Sequence, residues 1–152
     1  MNDIIDSFRG KNNFLSNFHP CNIAIDGYIF PSVENAFQAK KAVDLSLIKL
    51  FEKDTAKEAK ARGNEIQVRA DWGEIKKSYM KELLIIKFHD VGLATKLLLT
   101  GDAKLIEGNW WHDNYWGKCT CSPCGILHDE NSNTLGKLLM QVRTEIATSS
   151  EV

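Results

Sequence analysis

Residues 31–41 read PSVENAFQAKK and place a carboxylate, Glu34, seven positions before an amine, Lys41. Helical positions advance by about 100° each, so this separation returns both side chains to one face. Phe37 and Gln38 fall between them on that face. Two readings fit this spacing. One is a surface ion pair with a snorkelling lysine. The other is a reactive amine–carboxylate pair set into a pocket. Lys40 points about 100° away around the same helix and is expected in solvent.

A second group of reactive types lies in GNWWHDNYWGKCTCSPCG. Trp110, Trp111, Tyr115 and Trp116 surround Asp113 there. A tryptophan is usually core, but several in an irregular segment beside a carboxylate suit a planar heterocycle, because aromatic faces stack on such rings. In CTCSPC, Cys119, Cys121 and Cys124 have C-x-C-x-x-C spacing, with His112 and His128 close by. That set is one thiol short of a closed four-cysteine zinc site, which a histidine could complete. The two-pair spacing of a zinc knuckle is absent, so the expectation is no metal ligands, with the cysteines packed as small hydrophobes in a turn. No cofactor is expected.

These residues need a scaffold, and its elements are legible. NIAIDGYIF alternates around Asp26-Gly27, a hairpin signal because both turn positions need positive φ. Pro31 ends the second strand, and Ser32 caps a helix from Val33 to about Ala42. Thr55 with Glu58 has capping-box spacing, and Gly63 closes that helix. Asp71 with Glu74 repeats the pattern before a long helix whose inward face is Ile75, Tyr79, Leu83, Ile86 and Phe88. A helix over 93–99 ends at Gly101, and KLIEG offers a short strand. The last helix runs from about Thr134 to Ala147, with Leu135, Leu138, Leu139, Val142 and Ile146 inward. The expected class is α+β: a compact, mainly helical single domain over 1–148 with a small, mainly antiparallel sheet, and a frayed tail over 149–152.

The 152 residues suit one domain, and 43% hydrophobic with 26% charged residues is ordinary for a globular chain. A net charge of −1 argues against a general nucleic-acid or membrane binder. The first residues lack a signal-peptide pattern and no apolar run is long enough to span a bilayer. The four cysteines are therefore read as reduced thiols and the chain as cytoplasmic, with no membrane and no obligate protein partner.

LSNF at 15–18, DGYIFPSVENAFQAKKA at 26–42, RADW at 69–72, DNYWG at 113–117 and NTLGKLLMQVR at 133–143 together resemble the YbiA-like, or NADAR, family. The motifs run in the family's order from Phe8 to Arg143. The resemblance implies a YbiA-like fold and an N-glycosidase that cleaves the bond between a base and a ribose or ADP-ribose. Its substrate would be a ribosylamino-pyrimidine phosphate of riboflavin biosynthesis or an ADP-ribosylated guanine in nucleic acid. An idle ADP-ribose- or nucleotide-binding module is the alternative.

By the same resemblance Lys41 is the nucleophile, forming a Schiff base with the sugar, and Glu34 is its acid or base. Asp113 handles the ring-oxygen proton or holds a ribose hydroxyl. Trp72 and Trp116 sandwich the base or ribose, Phe37 helps to bury the amine, and Asn17 and Phe18 of LSNF, with Gln38 and Gly117, line the pocket. Asn133 and Gly136, in the first turn of the last helix, suit a phosphate. Arg62 and Arg69 are the expected phosphate clamps on spacing grounds. The CTCSPCGILHDE stretch lengthens the loop before the last helix and bears on the substrate subclass.

Overall fold

The computed structural model describes residues 3–125 and 128–149. Its elements, in order, are β1 (Ile4–Ile5), a 3-10 turn (Gly10–Leu15), β2 (Ile23–Ile25), β3 (Tyr28–Phe30), α1 (Val33–Lys40), a 3-10 turn (Leu45–Leu47), α2 (Ile48–Lys53), α3 (Ala56–Gly63), α4 (Trp72–Lys87), α5 (Val91–Leu99), β4 (Lys104–Leu105), β5 (Gly108–Asn109), β6 (Lys118–Cys119), α6 (Ser122–Gly125) and α7 (Thr134–Ser149). The class is α+β and mainly helical. Of the tail expected to fray, Ser149 closes α7 and 150–152 lie outside the described residues. The chain divides into two units, 17–90 and 1–16 with 91–152.

In unit 17–90, β2 and β3 form the expected antiparallel hairpin, Ile23 opposite Phe30. Asp26 and Gly27 both take positive φ, 54° and 84°, as a primed two-residue turn requires. The Ser32 side chain accepts the Asn35 N–H at 3.1 Å and starts α1. Asn35 is fully buried, and its amide donates to the carbonyls of Phe51 and Asp54, each at 2.8 Å. α1 is thereby fastened to the α2–α3 corner by polar bonds as well as by packing on α2, α3 and α4. Phe30, Val33, Phe37, Phe51, Met80 and Leu83 are buried around it.

Here one local expectation is met by another means and one fails, each for a physical reason. Thr55 and Glu58 do make the capping box, but Gly63 is the last helical residue and not an αL cap, since Asn64 follows with φ −82°. A Cβ at Gly63 would overlap the Gln38 side-chain amide, so close packing on α1 demands the glycine. Asp71 does not cap α4 with its side chain, because both its carboxylate oxygens bind the Arg69 guanidinium at 2.6 and 3.0 Å. The buried face of α4 is also wider than expected. It takes in Met80, Leu84 and Lys87 beside Tyr79 and Leu83, while Ile75 and Ile86 are half-buried.

In the other unit, β1 pairs in parallel with β4, and β5 in parallel with β6. The described strands thus form three two-stranded ladders, of which only β2–β3 is antiparallel. A mainly antiparallel sheet was expected because only a hairpin leaves a turn signature in sequence; a parallel pair leaves none. α7 packs on α5 and β4, burying Leu135, Leu138, Leu139 and Val142 with Leu97 and Leu105. Gly101, at φ 64°, ends the chain's turn out of α5 as expected.

Candidate functional site

Within unit 17–90, the α1 face brings Glu34, Phe37, Gln38 and Lys41 together with Asn17 and Trp72. Glu34 is 8% exposed and its carboxylate accepts the Gln38 side-chain N–H at 2.8 Å. The Glu34 backbone N–H donates to the Asn17 carbonyl at 3.0 Å, which fixes LSNF against the start of α1. The Asn17 side-chain N–H meets the Met80 sulfur at 3.6 Å. The Asn17 and Gln38 side-chain oxygens are buried and have no hydrogen-bond partner. Phe37 contacts Trp72 with ring centroids 4.8 Å apart and planes at 56°.

Lys41 caps the C-terminus of α1, and its carbonyl accepts the Arg69 N–H at 2.8 Å. Its amine lies 5.9 Å from the Trp72 ring centroid. Burial pushes the Lys41 pKa below the ordinary lysine value; the Glu34 charge opposes this, and the charges of Lys76 and Lys60 add to it. Lys60 itself sits 6.0 Å from the ring of Phe18, which is largely exposed.

Arg62 and Arg69 were expected as phosphate clamps, but each guanidinium is engaged by a carboxylate. Arg62 binds Asp54 at 2.7 and 3.0 Å, and Arg69 binds Asp71. Such fork-to-fork pairs use the geometry that would otherwise grip phosphate. Lys40 was expected in solvent. Its amine instead lies 3.9 Å from Asp26 and 4.9 Å from the Tyr79 ring, in a cavity of about 260 Å³ lined also by Tyr28, Phe30 and Arg69.

In the other unit, Asp113 organises a turn. Its Oδ1 accepts the N–H groups of Tyr115 and Trp116 at 3.0 and 2.9 Å. The Asn109 side chain holds the Asp113 backbone from both sides, accepting its N–H at 3.1 Å and donating to its carbonyl at 2.8 Å. Trp116 is half-buried, edge-on to Tyr115 with centroids 4.8 Å apart. Trp110 and Trp111 are exposed, and the Arg9 guanidinium lies 3.9 Å above Trp110.

The α7 terminus is not the open phosphate site expected of Asn133 and Gly136. The N–H groups of Asn133, Thr134 and Leu135 donate to the carbonyls of Gly117, Tyr115 and Trp116. Asn133, at φ 62°, donates its side-chain amide to the Leu105 carbonyl and accepts the Glu107 N–H, both at 2.9 Å. A Cβ on Gly136 would strike the Leu105 carbonyl and Asn133, and one on Gly117 would strike Glu107. Both glycines permit close approach of backbone segments, which explains their place in the motif without a ligand.

The NADAR domain family model matches residues 7–147. The chain belongs to the NADAR domain family. This NADAR chain is 38% identical over 139 residues to an N-glycosidase of Nostoc punctiforme, covering 87% of this chain and 84% of that one. It is 32% identical over 137 residues to the N-glycosidase YbiA of Escherichia coli, covering 88% and 81%. A riboflavin biosynthesis protein of Vibrio vulnificus is 36% identical over 140 residues, with 90% of this chain covered; the match spans 36% of that longer protein. The solved NMR structure of Escherichia coli YbiA superposes with a TM-score of 0.82 at 30% identity, covering 99% of this chain and 89% of that one. The activity class of the NADAR chain is N-glycosidase, a hydrolase of bonds between sugar and nitrogen.

Sequence reading missed four residues of this NADAR domain that matter to its first unit. Lys60 and Lys76 surround Lys41 with positive charge. Neither shares the helix of Lys41, so no spacing rule could find them. Asn35 holds α1, and its burial was hidden because asparagine usually signals a turn. Lys87 is the fourth, 1% exposed at the end of α4. No described helix is long and apolar enough to cross a membrane.

Proposed function

We propose that the NADAR domain hydrolyses the N-glycosidic bond of a ribosylated heterocycle carrying phosphate, through a Schiff base on Lys41. The observation that carries the reading is the environment of one amine. Lys41 is half-buried, held below its ordinary pKa, and coupled to the Glu34 charge beside the Trp72 ring. A neutral fraction of amine is what nucleophilic attack on a sugar carbon requires.

With the ribose ring opened, the Lys41 amine adds to C1′ of the sugar–base iminium. One proton then passes from the lysine nitrogen to the base nitrogen, and the C1′–N bond to the base breaks. A protonated lysine Schiff base remains, and water adds to C1′ to release the sugar aldehyde and the amine. Glu34 is suited to carry the proton, because its charge acts on Lys41 and the Gln38 amide holds its carboxylate in place. Asp113 is proposed to exchange the ring-oxygen proton, with the carboxylate oxygen that its turn leaves over.

Recognition within unit 17–90 follows from the α1 face. Trp72 and Phe37 offer aromatic surface for a planar base. Trp116 and Gly117, in the other unit, are assigned to substrate binding by the family motif alone. The buried oxygens of Asn17 and Gln38 suit donors such as ribose hydroxyls or an exocyclic amine. Lys60 and Lys76 supply the charge for phosphate that Arg62 and Arg69 spend on carboxylates. Relatives named as riboflavin biosynthesis proteins support a ribosylamino-pyrimidine phosphate as substrate. ADP-ribosylated guanine in nucleic acid shares the ribose, base and phosphate chemistry.

The test is turnover of both substrates side by side, with borohydride added during the reaction. A reduced sugar adduct on the peptide containing Lys41 is expected. Turnover without any adduct would remove the covalent intermediate, and neither turnover nor adduct on either substrate would favour a binding module.

A further inference from the structure

Residues 112–124 contain a cluster that the glycosidase chemistry does not use. His112 Nδ1 lies 3.3 Å from Cys124 Sγ, 3.6 Å from Cys119 Sγ and 3.5 Å from Cys121 Sγ. Cys119 and Cys121 are 3.4 Å apart, sulfur to sulfur, and all four donor atoms lie within 4.8 Å of one another. All four cysteines of the chain are free thiols.

Hydrogen bonding does not explain this convergence. One imidazole nitrogen has a single direction in which to donate or accept, so it satisfies one of three sulfurs at most. Apolar packing does not explain it either, because His112 is exposed and Cys121 is half-buried. A tetrahedral ion does. With zinc–sulfur bonds of about 2.3 Å and a zinc–nitrogen bond of about 2.0 Å, the edges of the tetrahedron are about 3.5 Å for N···S and about 3.8 Å for S···S. The three N···S distances match the first value.

We propose that His112, Cys119, Cys121 and Cys124 form a structural zinc site. Three thiolates and one imidazole are the donor set of a closed zinc centre, with no position left for water or substrate. His128, the other histidine that could have completed the set, is not among the clustered donors. The backbone is shaped for the purpose: His112 takes φ 68°, a left-handed conformation costly for a residue with a Cβ. Asn114 supports the ligands from behind, accepting the Cys119 N–H at 2.9 Å and hydrogen-bonding Cys124.

The consequence lies in the chain between the ligands. His112 and Cys119 bracket DNYWGK, so the ion staples both ends of the loop that carries Asp113 and Trp116. α6, four residues long, is tied to the same staple through Cys124. The metal does for this irregular segment what a packed helix does for Glu34 and Lys41.

Zinc content of the full chain, purified under reducing conditions from zinc-supplemented medium, tests this directly. One zinc per chain is expected by elemental analysis. Replacing it with cobalt should give intense thiolate-to-metal absorption and the visible bands of a tetrahedral ion. Cys124→Ser and His112→Ala should lose the metal, Cys21→Ser should keep it, and His112→Cys should rebuild it as a four-thiolate site. Folding of each variant is checked by circular dichroism, and His112→Cys guards against reading misfolding as ligand loss. Reduced wild-type protein that holds no zinc and gives no cobalt spectrum would overturn the site. Full zinc retention in both His112→Ala and Cys124→Ser would overturn it as well.

Discussion

Two lysines in unit 17–90 have their pKa pushed down by burial, one at the end of α1 and one at the end of α4. Lys41 is half-buried, under the influence of Glu34, Lys60 and Lys76, with Trp72 alongside. Lys87 is 1% exposed, with the Phe88 ring 5.2 Å away; burial takes it down to about 8, and the Cys21 charge opposes this. By depression alone Lys87 looks the more activated amine. At 1% exposure its amine is closed to a substrate. A lowered pKa therefore marks a functional lysine only when access comes with it.

The comparison breaks most severely if Lys41 is dispensable. Lys41→Ala and Lys41→Arg are expected to abolish turnover while circular dichroism stays unchanged, since arginine cannot supply a neutral amine. Lys87→Met should keep most activity. If the two results were exchanged, the nucleophile would be at the wrong end of the unit.

Glu34→Gln should lower kcat by about 10²- to 10⁴-fold, the usual range for a general acid–base. It also removes the one charge that raises the Lys41 pKa. The rising limb of the pH–rate profile, which reports loss of the Lys41 proton, should consequently move to lower pH. An unmoved limb would mean that the two residues are not coupled.

Lys87 makes a prediction about stability instead. Its folded pKa is about 8 against an ordinary 10.5, so the unfolded chain binds the extra proton between those values. Stability should rise with pH through that window, by about 3 kcal/mol for a gap of this size. Denaturant melts of wild type and Lys87→Met from pH 7.5 to 10.5 should differ by this slope. Parallel curves would show that Lys87 is not strained by its burial.

Trp72→Ala and Trp116→Ala should weaken substrate binding by about 1–3 kcal/mol each, the worth of one stacked base. Trp111→Ala should cost less, and equal losses at all three would indicate packing and not a platform. The smallest effect belongs to Lys40→Met. Its amine answers to Asp26 and Tyr79, so turnover should stay within about threefold of wild type.

How much of this was legible depends on the range of each interaction. The hairpin, the Ser32 cap, the capping box at Thr55 and the Glu34–Lys41 register were all readable, because each is set within a few residues. The reading failed where one signal met a stronger competing partner. Asp71 had the spacing of a cap but takes Arg69, two residues back. Asn133 and Gly136 sat at a helix N-terminus, yet carbonyls from 115–117 take its N–H groups.

The sequence by itself determined the family, the helical face of Glu34, Phe37 and Lys41, and the presence of three thiols at close spacing. These depend on backbone periodicity and residue type, which need no knowledge of what folds against them. Only the tertiary structure decided the rest. It brought Lys60 and Lys76 to Lys41 from two other helices, engaged Arg62 with Asp54, and turned His112 onto Cys119, Cys121 and Cys124. The physical reason is common to all three: charge and coordination act through space over a few ångströms, and outside one regular helix the spacing of two residues does not say whether their side chains will turn toward each other.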